Sequence, residues 1–513
     1  MIPCNRYSRA IFLWRPLAYI RYTRNGQAGR KRYHCSRGGR SMLQRFVEFL
    51  TPEDVLRIHE QSMRLLEEVG VEMPVEAARE VLRRRGARVE GTRVHLPRRL
   101  VEESIRLAPS RFTIHARNPQ KDVVVGGGNP VFAPGYGAPF LMDHEKGQRY
   151  ATMEDYQNLV RIIDALPHLD LSGHLLVEPH DVPAGSAHLH MLMAHLRYSD
   201  KPFIASSNGQ KGAQATLDMA GIVFGDRDAL RNKPVTIALI NTLSPLGFAS
   251  EMLEALMAFA EWGQPVVIAS MAQAGATAPV TLAGMIAQIN AEILSGVVLA
   301  QAINPGTPVV YGSTSTIMDM NTAAAAIGSP EYSILVACQA QMGRFYGLPS
   351  RSGGSLTDSQ VPDAQAGLES MMSLLTTVNA GIDFVLHAAG ILGSYLTFSY
   401  EKLVIDHEIC GMVRRYRQGL DVNTETLAYD TIAGVGPGGN FLMDEHTLRH
   451  FRNAFYMPRL CNRDALPAWQ EKGSTDMAQR AHQYWQRLLQ THQPAEPEAI
   501  TIRALEAYVE RHA

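Results

Sequence analysis

The residues able to do chemistry fall in short runs that follow apolar, β-rich stretches. They read Glu178-Pro179-His180, Ser206-Ser207-Asn208-Gly209, Asn241-Thr242-Leu243-Ser244-Pro245, Ser270-Met271-Ala272-Gln273, Gly312-Ser313-Thr314-Ser315, Ser355 to Gln360, His387-Ala388-Ala389-Gly390 and Asp406-His407-Glu408. Most are neutral hydrogen-bonding groups, and few carry a carboxylate. Such a set suits a polar zwitterion and suits a phosphorylated ligand poorly, since phosphate calls for Lys or Arg. No run carries a lysine, so Schiff-base chemistry of the aldolase kind has no nucleophile there. The GxSxG elbow of serine hydrolases is absent. His188, His190 and His195 lie in helical sequence between strands; His188 and His195 can share a face, but they read as ordinary helix histidines. In an extended Asp406-His407-Glu408, only Asp406 and Glu408 point together. No metal site is expected.

Eight β-rich segments are placed to carry these runs: 170–177, 202–206, 234–240, 265–270, 308–313, 349–354, 383–387 and 403–406. Helices are expected between them, near 184–198, 211–223, 249–262, 280–303, 327–346, 364–379 and 390–401. The alternation implies a parallel sheet, and eight units imply closure into a (β/α)8 TIM barrel with its active site at the C-terminal strand ends. A doubly wound sheet competes, but no Gly-rich nucleotide loop follows the first strand. The barrel is assigned to 166–420. Ahead of it, 42–165 reads as an α+β region. Thr51-Pro52-Glu53-Asp54 starts a helix, with a cap, a first-turn proline and acids at the positive end of the dipole. Gly70 ends it. Val89 to Leu96, Phe112 to His115, Val123 to Val125 and Val131 to Phe132 read as small antiparallel strands. The tail, 421–513, reads as helical and polar, expected to wrap the barrel or to form a subunit contact in a homo-oligomer.

Composition narrows the function classes. Hydrophobic content is 46%, charged residues are 19% and the formal net charge is −1. The chain is a folded globular type with no electrostatic case for nucleic acid. Cys4, Cys35, Cys338, Cys410 and Cys461 lack CxxC spacing, which suits a reducing compartment, and a cytoplasmic protein is expected. The apolar stretch Ala283 to Ala302 is interrupted by Gln288, Asn290 and Glu292, so it reads as a buried helix rather than a membrane span. Residues 1–41 differ from the rest: ten Arg and Lys lie between Arg6 and Arg40, and no acid appears before Glu48. This segment is either an organelle-targeting sequence or the product of a start assigned too early. The second reading is favoured, with Met42 as the start, because fold-like sequence begins directly after it.

Several longer runs carry a resemblance. Tyr311-Gly-Ser-Thr-Ser-Thr-Ile-Met-Asp-Met320, Gly328-Ser-Pro-Glu331, Arg351 through Glu369, Asp383-Phe-Val-Leu-His-Ala-Ala-Gly390 and Gly434-Val-Gly-Pro-Gly-Gly-Asn-Phe-Leu442 resemble the trimethylamine methyltransferase family, over about Thr51 to Tyr456. The resemblance implies a TIM barrel that transfers a methyl group from an amine to the cobalt of a separate corrinoid-binding protein, with no tightly bound cofactor of its own. Archaeal trimethylamine enzymes of the family carry pyrrolysine near the Thr-Asp-Ser segment, where this chain has Gln360. Pyrrolysine-free members act on quaternary amines such as glycine betaine, carnitine or proline betaine. The resemblance therefore points to a quaternary amine as donor, with trimethylamine as the alternative.

The chemistry so implied is compatible with the polar runs. A quaternary amine departs already neutral, so neither a general acid nor an electrophilic adduct is required. The protein contributes orientation and a dry, electrostatically matched pocket. The cation calls for aromatic faces, worth about 2 kcal/mol when desolvated. Phe132 and Tyr136 in an N-terminal loop, Tyr311 at the fifth strand end, and Tyr395 or Phe398 after the seventh are candidates, each weighed against simple packing. Asn208, Asn241, Gln273 and Thr314 are candidate polar contacts. His387 is placed to hydrogen-bond a substrate carboxylate or orient the amine, Gln360 to contact substrate or fill space, and Glu408 to oppose the cation or pair with an arginine. A non-catalytic betaine sensor would use the same cage.

Overall fold

The computed structural model describes residues 46–513, so the basic segment 1–41 and the expected start at Met42 lie outside the described residues. Thr51 caps the first helix, Pro52–Arg64, through a capping box with Asp54: the Asp54 N–H donates to Thr51 Oγ1 (3.2 Å) and the Thr51 N–H to Asp54 Oδ2 (3.0 Å). A π-helical turn, Leu65–Val69, carries the helix to Gly70, where φ is +82°.

The body is a curled parallel sheet of seven strands: β1 (Val131–Phe132), β2 (Phe203–Ile204), β3 (Thr236–Asn241), β4 (Val266–Ser270), β5 (Val309–Ser313), β6 (Ser350–Gly353) and β7 (Phe384–Leu386). Their spatial order is β1-β7-β6-β5-β4-β3-β2. Between and after them run α1 (Met153–Ala165), α2 (Ala187–Tyr198), α3 (Gly209–Phe224), α4 (Ser250–Glu261), α5 (Leu282–Ile303), α6 (Pro330–Tyr346), α7 (Ala364–Asn379) and α8 (Tyr400–Gln418). Segment 170–173 is not a strand, yet it bonds to both sheet edges. The Asp170 N–H donates to Phe132 O (2.8 Å), the Ser172 N–H to Pro202 O (2.9 Å), and the Ile204 N–H to Gly173 O (3.0 Å).

Three expected strands are corrected, 170–177 above and the two that follow, and the helix expected near 390–401 is instead a pair of short antiparallel strands, Ile391–Leu392 and Thr397–Ser399. Val131–Phe132 is no antiparallel piece of the N-terminal region; it pairs in parallel with β7. Leu403 to Asp406 is helical, inside α8. Its apolar run is buried on every side, and total burial erases the periodicity that separates a strand from a helix. Ser399 caps α8 by accepting from the Lys402 N–H, and Lys402 pairs with Asp406 one turn on.

The concave face of the sheet is lined by Val131, Ala133, Ile204, Ile237, Leu239, Val267, Ala269, Val310, Phe384 and Leu386. The antiparallel hairpin Phe112–Ile114/Val123–Val125 packs into the same cluster and closes it at the N-terminal strand ends, where the His115 N–H donates to Pro234 O (2.8 Å). Helix α5 is apolar all round because it is sandwiched between the sheet and the helices Pro52–Arg64 and Arg98–Leu107. It is long and apolar enough to cross a membrane, but 83% of its apolar window is buried inside the protein. The helix Met477–Thr491 packs on α8 and α1, and Ala499–His512 packs on α2 and α3.

Candidate active site

At the C-terminal strand ends opens a cavity of about 380 Å³. Tyr136 follows β1, His174 and Glu178 follow the 170–173 segment, Ser206, Ser207 and Asn208 follow β2, and Asn241 ends β3; all line it. Met191 of α2 and Glu251 and Met252 of α4 complete the wall. No lysine or arginine lines this space, whereas two carboxylates and a tyrosine do. The cavity therefore favours a cation with apolar surface. Ser207 Oγ and His174 Nδ1 are buried without a hydrogen-bond partner. Burial, with His195 and His188 nearby, holds His174 well below the usual imidazole range, so it is neutral. His195 is fixed between Tyr156 Oη (2.7 Å) and Ser172 Oγ (3.0 Å), and burial lowers its pKa to about 4. It is a core histidine.

His387 follows β7 at φ +59°, in the left-handed region that side chains rarely adopt. The turn places its Nδ1 to accept from the Tyr136 N–H (3.2 Å). That contact leaves the ring proton on Nε2, free to donate. Burial, then the charge of Arg351, keeps the ring neutral. The Tyr395 ring lies 4.9 Å from it, tilted by 57°, and Tyr395 is itself at φ +76°. The Tyr395 hydroxyl lies beside that of Thr314 but outside hydrogen-bonding geometry, so it is buried without a partner.

Behind this pair lies a residue that the polar runs did not reveal. Arg351, within β6, is in register with Gly312 of β5 and Phe384 of β7. Phe384 faces the concave side, and neighbouring parallel strands share that orientation, so Arg351 points inward too. Gly312 beside it carries no side chain, and a Cβ there would lie 2.8 Å from Val267 Cγ1. Arg351 is 2% exposed. Nη1 reaches Thr314 Oγ1 at 3.4 Å, Nε has no partner, and no carboxylate among the described residues pairs with it. The signal was present as an arginine inside a strand of small residues, Ser350-Arg351-Ser352-Gly353. It lies inside the strand, whereas the polar runs follow the strand ends.

The other candidates separate cleanly. The Tyr311 hydroxyl donates to Asn290 Oδ1 of α5 (2.9 Å), on the convex side. Phe132 also faces outward, beneath the Arg414 guanidinium at 4.7 Å. Phe398 is packed against Gly135 and Gly390 in the outer core. Glu408 lies on α8, not on a strand, and accepts from the Arg459 N–H of the tail (3.2 and 3.1 Å). None of these four faces the cavity, because each alternates to the helix side of the fold or sits on an outer helix. Gln273 sits in a turn at the rim, where its carbonyl accepts from Ala276, Thr277 and Ala278. Gln360 is exposed at the rim over Gly393, with its amide donating to Asp358 O (3.3 Å). Its loop is pinned by Asp358, which accepts from the Ile327 and Gly328 N–H groups, and by Glu369, which accepts from Thr357 Oγ1 (2.6 Å).

A family model described as "Trimethylamine methyltransferase (MTTB)" matches residues 21–513. The chain is 46% identical over 460 residues to a glycine betaine methyltransferase of Desulfitobacterium hafniense (strain Y51), covering 90% of this chain and 96% of that protein. It is 35% identical to a proline betaine:corrinoid methyltransferase of Eubacterium limosum, over 85% of this chain and 92% of that protein. It is 34% identical to a trimethylamine methyltransferase of Desulfitobacterium hafniense (strain DSM 10664 / DCB-2), over 88% and 92%. A methyltransferase rim with a cation-matched cavity and no lysine nucleophile thus has its place: the chain belongs to the trimethylamine methyltransferase family.

Proposed function

We propose that this methyltransferase moves a methyl group from a quaternary amine of the glycine betaine type to the cobalt of a corrinoid carried by a separate protein. The observation that carries the reading is the 46% identity to a glycine betaine methyltransferase along 96% of that protein's length. The cavity supports it, because Tyr136, Glu178 and Glu251 match a trimethylammonium group. The methyl–nitrogen bond breaks with its electron pair staying on nitrogen, so the amine leaves neutral. The reduced corrinoid supplies the electron pair for the new methyl bond. This chain then binds the cation, orients one methyl toward the open mouth and excludes water. Neutral His387 and His174 suit that task, since no proton has to move. The bonds of 170–173 to both β1 and β2 support its role as the eighth stave of a (β/α)8 barrel, which would seat the site at the usual end. Unpaired Cys338, Cys410 and Cys461 suit a cytoplasmic setting.

The test mixes the protein with its reduced corrinoid protein and glycine betaine. Loss of the Co(I) absorbance together with dimethylglycine formation is expected. Transfer from trimethylamine alone would replace the donor. Betaine binding without any transfer would leave a sensor instead.

A further inference from the structure

We infer that Glu425, His446 and His450 form a site for a divalent transition-metal ion of the zinc kind, and that the ion fixes the tail segment 420–459. None of the three lines the strand-end cavity, so the inference stands apart from the methyl-transfer reading. His446 and His450 are four residues apart on the helix Glu445–Ala454, so both rings leave the same face. Their centroids are 4.3 Å apart. Both rings turn Nε2 toward one residue of another segment. His450 Nε2 lies 2.9 Å from Glu425 Oε1, and His446 Nε2 lies 3.3 Å from the Glu425 carbonyl oxygen. One ligand atom from each of the three residues falls within 4.8 Å of the others. Two imidazoles and a carboxylate are a donor set that zinc takes, at roughly 2.0–2.2 Å from the ion. Tetrahedral bonds of that length hold neighbouring ligand atoms about 3.3 Å apart, within reach of small side-chain rotations. The histidine spacing alone does not reveal the site, because the third ligand arrives from elsewhere in the tail.

The segment needs such a staple. No residue from 420 to 459 is buried. Leu420, Tyr429, Ile432, Leu442 and Met443 all stand more than half exposed. A stretch without a core cannot hold its shape by burial, and a structural metal is one of the few devices that replaces a core. The ion would join the helix Glu445–Ala454 to the short helix Thr424–Leu427 through Glu425. Arg449 Nη1, 3.5 Å from Glu425 Oε1, competes for the carboxylate, but its side chain is 56% exposed and free to swing into water. A second cluster, His144, Glu401 and His482, has the same ligand types but not the same need. Glu401 is buried and already accepts from His482 Nδ1 (2.8 Å), Trp485 Nε1 (2.8 Å) and Ser399 Oγ (3.1 Å). Those bonds satisfy the carboxylate and dock the helix Met477–Thr491 onto α8 without an ion. The Glu425 carboxylate, by contrast, is open to the solvent from which a hydrated ion arrives.

The experiment titrates the untagged full chain, first stripped with a chelator, with zinc chloride by calorimetry. Amide hydrogen exchange over 420–459 is followed with and without zinc. Wild type should take up zinc and exchange more slowly across the helices Tyr429–Val435 and Glu445–Ala454 when it is bound. His446→Ala, His450→Ala and Glu425→Gln should each weaken zinc by at least about tenfold and abolish the slowing. All three positions are at the surface, so the variants should fold as wild type does. His144→Ala and His482→Ala should leave zinc binding unchanged. Magnesium chloride should give no binding, because imidazole ligands suit transition metals. Absence of zinc binding, or binding that none of the first three substitutions weakens, would overturn the site. A loss confined to His144→Ala and His482→Ala would overturn it in favour of the Glu401 cluster. Zinc held by Glu425, His446 and His450 with unchanged exchange would overturn the stapling role.

Discussion

Lys402 and Arg351 are both shut away from water, at 1% and 2% exposure, yet their surroundings differ completely. Lys402 Nζ donates to both Asp406 oxygens (2.5 and 2.6 Å) and to Ser370 Oγ (2.8 Å). Asp406 also accepts from the Gly390 N–H (2.9 Å), so the pair ties α8 to the loop after β7. Arg351 has a distant hydroxyl and no acid. A buried cation that the fold has already neutralised is a staple; one left open carries an uncompensated charge. Burial alone does not distinguish them. Partners do.

That contrast can be broken by experiment. Lys402→Met should lower the unfolding free energy by about 3–5 kcal/mol, because it strands Asp406 as an unpaired buried carboxyl. Arg351→Met should cost under about 1 kcal/mol, or raise stability, because it removes a charge that nothing compensates. Urea denaturation of both variants measures the pair; equal losses would erase the distinction. Tyr136→Ala acts on the cation end, so it should weaken glycine betaine and tetramethylammonium alike, by about 2 kcal/mol or roughly 30-fold. A betaine-selective loss in that variant would move the cation elsewhere.

Ring by ring, the effect of pH is the most gradual. His168 and His195 are lowered to about 4, and His174, His387 and His407 are also lowered, in each case first by burial. The unfolded chain takes up protons below about 6.5 while these folded rings remain neutral, so stability is complete above that pH and is lost as pH falls toward 4. Each such ring contributes at most about 1.4 kcal/mol per pH unit in that window. The melting temperature should fall between pH 6.5 and 5 in wild type, and less steeply in His195→Gln. A flat profile would show that these rings are not held neutral.

Much of the fold was legible because the alternation of apolar runs survives wherever one face of an element meets solvent or a neighbour of different polarity. Six segments of the sheet, β2 through β7, fall where their apolar runs predicted. Two of the misread segments show where local pattern runs out. Leu403 to Asp406 is surrounded by protein on all sides and keeps no period, and Val131–Phe132 is so short that its partner, not its own sequence, defines it. Of the candidate residues, Tyr136, Asn208 and Asn241 line the cavity. Phe132 and Tyr311 face the helix side, because residue type shows that an aromatic ring is available, while the strand's register decides which side it faces.

By itself, then, the sequence determined the repeating α/β order, the cap at Thr51, the family resemblance and the poverty of acid–base pairs at the strand ends. These are properties of composition and spacing, which survive without coordinates. Only the tertiary structure decided that Arg351 points inward, that Glu408 is spent on Arg459, and that His387 presents Nε2 rather than Nδ1. Each depends on what a distant segment brings to within hydrogen-bonding reach, and no local pattern records that distance.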